Sequence, residues 1–232
     1  MNPIFNNAKT SSGRPPAAVE LSPEGVLAAA LGSGEGPAYA FAPLRPGAIV
    51  PGIGEPNIRA AEEVSAGIRS ALNQVGPRSR FVSLVLPDTA VRNAGYEPGA
   101  VLPSSLAALD AVDSMEALLT ASLTPLTLTT SIANGSDLLL HRTLDLPENP
   151  AEHIAEIQRG IAVAAAYFED KLQGPARTLH YAGCYPTSEF ANWIDAPEMT
   201  VVDLVPRPQT GLTTALGTAN IAGATGALAG AS

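Results

Sequence analysis

Glu20 closes the apolar run Ala17-Ala18-Val19 and stands two residues before the reversal Ser22-Pro23-Glu24-Gly25. A carboxylate beside a glycine turn suits phosphate chemistry. The turn's backbone amides approach the phosphate oxygens, and the acid holds Mg²⁺ or a water of its shell. The same pieces also make a plain hairpin with a surface glutamate, and residue types alone favour that reading. A second glycine turn, Gly183-Cys184-Tyr185, follows an apolar stretch later in the chain. Cys184 is the single cysteine and has no histidine near it in sequence, so a small buried residue is expected rather than a nucleophile. His141, His153 and His180 share no metal-ligand spacing, and no metal site is expected. Asp110, Asp113 and Glu116 read as a solvated helix edge, and Trp193, flanked by Phe190 and Ile194, as core.

The bulk composition narrows the function classes. A chain of 232 residues with 46% hydrophobic and 15% charged residues can bury one large domain or two lobes. The net charge of −9, with no Lys/Arg cluster, argues against nucleic acid as a partner and against docking by charge on an anionic membrane. The opening residues MNPIFNNAKTSSGRPP hold no apolar h-region, so no secretory leader is expected. The C-terminal TGLTTALGTANIAGATGALAGAS is apolar mainly through Gly, Ala and Thr. It suits a close-packed helix better than a bilayer span.

The elements that would carry these residues can be followed along the chain. Residues 19–21 and 26–31 form a hairpin, 38–42 a third strand, 60–75 a helix with Val64, Ile68, Ala71 and Leu72 on one face, and 81–87 a strand. Residues 100–102 are strand-like, and Ser104-Ser105 start a helix through Met115. Then 117–123, 126–132 and 137–146 read as strands, with ANGS (133–136) as a hairpin turn. Asn149, Pro150 and Glu152 open a long helix that Gly174-Pro175 should end. Strands near 177–181 and 201–205 and a last helix complete the list. A three-stranded meander, a helix and a strand therefore occur twice. That order predicts a duplicated α/β fold with a tail at 1–16, a first lobe at 17–115, a second at 116–210 and a closing helix within 211–232 that returns to the first lobe.

This order is the plan of the actin-like ATPase (ribonuclease H-like) superfamily. The chain further resembles the PilM family of type IV pilus assembly and, more distantly, FtsA. The resemblance is carried by AAVELSPEGVLAAAL, the helix 60–75 with FVSLVLPDTAV, GYEPGAVLPSSLAALDAV, EIQRGIAVAAAYFEDKL and the late ALGTANIAG. It spans nearly everything from Ala17 onward. The family's 1C subdomain, however, would sit between Arg92 and Asn93, and the chain passes directly from TAVR to NAGYEPG.

The resemblance implies a nucleotide site and, at the same time, its decay. Glu20 stands where the family places Asp, and Ser22 and Gly25 belong to the first phosphate turn, but Pro23 removes an amide. The second turn, TASLTPLT, lacks a carboxylate and contains Pro125. Gly183 is what remains of the adenosine turn, with Tyr185 expected to obstruct the base. The expectation is a cytoplasmic adaptor, peripheral to the inner membrane, without a cofactor. It would bind the cytoplasmic tail of PilN and other pilus components, with first-lobe contacts at Phe81, Ser83 and Val85, weakened by the missing 1C wall. Strand edges leave a homodimer open. The alternatives are an active actin-fold ATPase or small-molecule kinase using ATP/Mg²⁺, with Glu20, Gly183 and Asp137 converging on a phosphate, or a scaffold like GspL of type II secretion.

Overall fold

The structure, a computed structural model, describes residues 14–31, 36–50, 57–85, 97–101, 103–112, 114, 116–206 and 220–229. The opening meander is β1 (Ala17–Ser22), β2 (Gly25–Leu31) and β3 (Pro37–Pro43). Helix α1 (Ala61–Val75), β4 (Phe81–Val85), β5 (Glu97–Val101) and α2 (Ser104–Leu109) follow. The second meander is β6 (Ala117–Leu123), β7 (Thr127–Asn134) and β8 (Asp137–Asp145). A 3₁₀ turn at Pro150–Glu152 then leads into α3 (His153–Leu172), β9 (Thr178–Gly183), α4 (Thr187–Trp193), β10 (Thr200–Asp203) and α5 (Ala222–Ala229).

These strands form two five-stranded sheets, ordered β3-β2-β1-β4-β5 and β8-β7-β6-β9-β10. Position for position the orders are the same: an antiparallel meander, then two strands added in parallel on the far side of its first strand. The duplication expected from element order is thus a duplication of topology. Only residues 86–96 lie between β4 and β5, too few for an inserted subdomain. The expected 92/93 junction itself lies outside the described residues, as does the tail 1–13.

Each sheet is covered according to its strand alternation. On one face of the first sheet, Ala17, Val19, Val26, Val82 and Leu84 pack on the apolar stripe Val64, Ile68 and Leu72 of α1. On the other, Ala18, Leu27, Ala29 and Val85 meet Ala107 of α2, Ile221 just before α5, and Ala224, Ala227 and Leu228 of α5. In the second lobe Leu119, Leu128, Ile132 and Leu179 pack on Ile157, Ile161 and Ala164 of α3, together with Phe190 of α4. A small cluster joins the lobes: Ala108 of α2, Ala182 of β9, Leu204 and Ala222 of α5.

Two helix ends differ from the sequence reading. Helix α2 stops at Leu109 rather than Met115, because Asp110, Ala111 and Val112 donate to the carbonyls three residues back and tighten the chain into turns. Helix α3 is capped by Gln173 in the left-handed region (φ 58°), one residue ahead of Gly174-Pro175. Asn149 does cap the start, accepting from the Ala151 amide, while its Nδ2 donates to Glu152.

Candidate functional site

Strand β1 places Glu20 on the face turned toward α2 and α5, so it is not the hairpin surface residue expected. Ser104 Oγ, at the start of α2, donates to Glu20 Oε1, and the Ala224 amide donates to Glu20 Oε2 over 3.1 Å. The residue keeps a little contact with solvent, but its carboxyl is desolvated. Burial raises its pKa to about 7 against the opposing pull of those two bonds. Asn220 Oδ1 accepting from the Ala222 amide and Glu20 accepting from the Ala224 amide satisfy two of the free N–H groups that begin α5. Gly223 is required here, because a β-carbon would lie 2.5 Å from Ser104 Oγ and 2.8 Å from Glu20 Oε2.

The first turn offers little to a phosphate. Pro23 has no N–H, and the Gly25 amide donates to Ser22 Oγ over 3.3 Å, which closes the turn on itself. Gly25 is small because of packing: a β-carbon there would strike the Phe41 ring and the Ala42 carbonyl oxygen. The second turn is closed more completely. Thr124 N–H donates to the Thr127 carbonyl, Pro125 has no amide, and the Leu126 and Thr127 amides both donate to Thr124 Oγ1 at 3.2 and 2.9 Å. Every amide from Thr124 to Thr127 is absent or already bonded within the turn.

At the third corner, Gly183 is covered by a side chain from its own strand. The Tyr181 phenol fills the space a β-carbon would need, accepts from the Tyr185 amide at 3.3 Å and stacks on Phe190 at 3.9 Å. Tyr181, not Tyr185, therefore occupies the backbone approach; Tyr185 leans edge-on against Trp193 instead. Trp193 packs on the second-lobe core, as expected. Burial pushes the Tyr181 phenol above its ordinary range and the Cys184 thiol up to about 11, so Cys184 is no thiolate near neutrality. The space left beside this corner is a cleft of about 390 Å³. Among the described residues Asp203, accepting from Thr187 Oγ1, is its charged lining residue, and no described Lys or Arg lines it.

The remaining expected residues are scattered. Asp137 opens β8 at the Asn134–Asp137 turn, whereas the phosphate-type turn 124–126 lies at the other end of β7, so Asp137 does not converge with Glu20 and Gly183. Of the expected partner residues, Phe81 is half exposed, but Ser83 and Val85 are buried. Both edges of β4 are already paired, with β1 and β5, so no peptide can extend the sheet there. Ser83 Oγ is a buried hydroxyl with no hydrogen-bond partner among the described residues. His180, Thr120, Ser131 and His141 form one row across β9, β6, β7 and β8. The two imidazoles are thus three strand spacings apart, about 14 Å, too far to share an ion. Among the described residues no three His, Cys, Asp or Glu are grouped to hold a metal.

The geometry can be set beside known proteins. No family model matches the chain, and no curated sequence matches it. Solved structures do. A PilM–PilN type IV pilus biogenesis complex aligns with a TM-score of 0.60 at 14% identity, covering 93% of this chain and 98% of that one. The ethanolamine utilization protein EutJ from Carboxydothermus hydrogenoformans gives 0.55 at 12% identity, covering 95% and 94%. Component A of the (R)-2-hydroxyglutaryl-CoA dehydratase of Acidaminococcus fermentans gives 0.52 at 9%, covering 93% and 96%. The chain has the actin-like two-lobe fold. At these identities the likeness is one of fold, and what the cleft does must come from its own residues.

Proposed function

We propose that this protein is a non-catalytic adaptor, similar to PilM, in the inner-membrane assembly complex of a type IV pilus. In this reading it is cytoplasmic, lies against the inner membrane and binds the cytoplasmic tail of a PilN-like protein without nucleotide chemistry. One observation carries the loss of catalysis: the acid at the actin-fold catalytic position caps α5 through Ala224 and bonds Ser104 instead of facing a phosphate. The closed turn at Thr124–Thr127 and the Tyr181 cover over Gly183 point the same way. A triphosphate placed between these corners would meet no free amide at the second turn and, among the described residues, no cation in the cleft lining.

The test is a calorimetric titration of the full chain with Mg²⁺-ATP and, separately, with the cytoplasmic tail peptide of a PilN-like protein. The adaptor reading expects no heat from nucleotide up to millimolar concentration and saturable binding of the tail. Mg²⁺-dependent ATP binding at micromolar concentration would instead establish the ATPase or kinase alternative. A chain that binds neither is not a pilus adaptor of this kind.

A further inference from the structure

The turn after α2 and the β7–β8 turn enclose a second space, of about 610 Å³, at the opposite end of β7 from the phosphate-type turn. Its size falls within the roughly 300–1,000 Å³ of ligand-binding clefts. Leu106 and Leu118 form part of its apolar floor, and Leu138 stands at its edge 48% exposed. Asp110, Glu116 and Asp137 ring the mouth, all exposed, and among the described residues no Lys or Arg lines it. Arg14 reaches Asp110 from the side at 2.5 Å, anchored also on the Gly226 carbonyl, leaving Glu116 and Asp137 as the acids farther along the rim.

We infer that this groove binds a short basic, leucine-bearing segment: the membrane-proximal cytoplasmic tail of the partner. The inference deepens the pilus reading and rests on it for the partner's identity. Charge selects the occupant. Cytoplasmic segments flanking membrane spans carry an excess of Lys and Arg, which complements the two rim carboxylates not paired with Arg14, Glu116 and Asp137, on a chain of net charge −9. The leucine floor takes the apolar side chains of the segment, and the rim takes its cations. This placement also uses surface that is open, whereas β4 has no free edge.

The probe is a fluorescein-labelled peptide of alternating leucine and arginine, followed by anisotropy against the full chain, with a leucine–glutamate peptide as the opposite-charge control. Binding of the basic peptide is expected, weakening with salt, and none of the acidic one. The double variant Glu116→Lys/Asp137→Lys should bind tenfold or more weaker. Asp145→Lys/Glu148→Lys makes the same change in net charge beyond the far end of β8 and should alter binding less than threefold. Leu138→Ser should weaken binding at constant charge. Urea midpoints confirm that each variant is folded. Failure of the wild type to bind the basic peptide overturns the groove, as does equal weakening in the two charge-reversed proteins, which would mean diffuse attraction. The PilN-like tail in the same assay separates the two readings. If the basic peptide behaves as expected and the tail does not bind, the pilus reading falls and the groove stands. If the tail binds wild type and all variants alike, the groove falls and the pilus reading stands.

Discussion

The backbone amide of Ala224 donates to Glu20 Oε2 over 3.1 Å, so the last helix of the chain is held by the first strand. The Tyr39 hydroxyl adds a second tie from β3, to Thr225 Oγ1 at 2.7 Å. Glu20 is thus a helix cap, and its energetics should be visible in stability.

Glu20 makes stability depend on pH. Its folded pKa of about 7 lies above its ordinary value of 4.5, so the folded state holds this proton more tightly than the unfolded chain. The contribution is complete below pH 4.5 and is lost as pH rises through 7. Glu20→Gln keeps an acceptor for Ala224 and a donor for Ser104 without the charge. Between pH 5 and 8 the wild type should lose up to about 3 kcal/mol that the variant retains, measured by urea unfolding. Burial lowers the pKa values of His141 and His180, which acts in the opposite direction but equally in both proteins, so the difference isolates Glu20. Parallel pH profiles would remove Glu20 from the buried network.

Gly226 lets α5 touch α2. A β-carbon there would collide with the Ala107 carbonyl oxygen, a backbone atom that cannot rotate away. Gly226→Ala should therefore cost about 2 to 3 kcal/mol despite the better helix propensity of alanine. Gly174→Ala meets nothing within 4 Å and should stay within about 0.5 kcal/mol of wild type. Thermal melts of the two variants side by side check the contrast.

Ser83 buries a hydroxyl that has no partner among the described residues, at 0% exposure. Ser83→Ala removes an unsatisfied polar atom and leaves almost the same volume, so stability should rise by about 1 kcal/mol. A fall of that size in the denaturation midpoint would mean the hydroxyl is bonded in solution.

Thr124 should control the second turn. Thr124→Val keeps the shape and removes the oxygen that accepts from the Leu126 and Thr127 amides. The turn is exposed, so water takes over those donors and the loss should be only about 1 kcal/mol. Hydrogen exchange at Leu126 and Thr127 should accelerate about tenfold, with amides in the middle of β6 unchanged. If the freed amides also admitted Mg²⁺-ATP, Thr124 alone would be the block at this turn.

Much of the architecture was legible because periodicity and turn chemistry are local. The stripe Val64, Ile68, Leu72 could only be one face of a helix, and Asn149-Pro150 could only open one. Pro23 and Pro125 announced, without any coordinates, that two turns had lost amides. Less legible were positions whose meaning depends on what lies opposite. Ser83 and Val85 entered as partner contacts through the family resemblance, and only the placement of β4 between β1 and β5, with helices packed on both faces of the sheet, shows them buried. Tyr181 carried no signal as the residue over Gly183, because a tyrosine two residues before a glycine reads as strand core.

Residue order by itself determined that two meanders, each with a helix and a following strand, build this chain, since hydrophobic spacing and capping residues act within a few positions of one another. What only tertiary structure decided is the use of Glu20. Its bonds to Ser104 and Ala224 join residues 84 and 204 positions away. No local pattern specifies which distant donors meet a carboxylate once two sheets and a closing helix have packed.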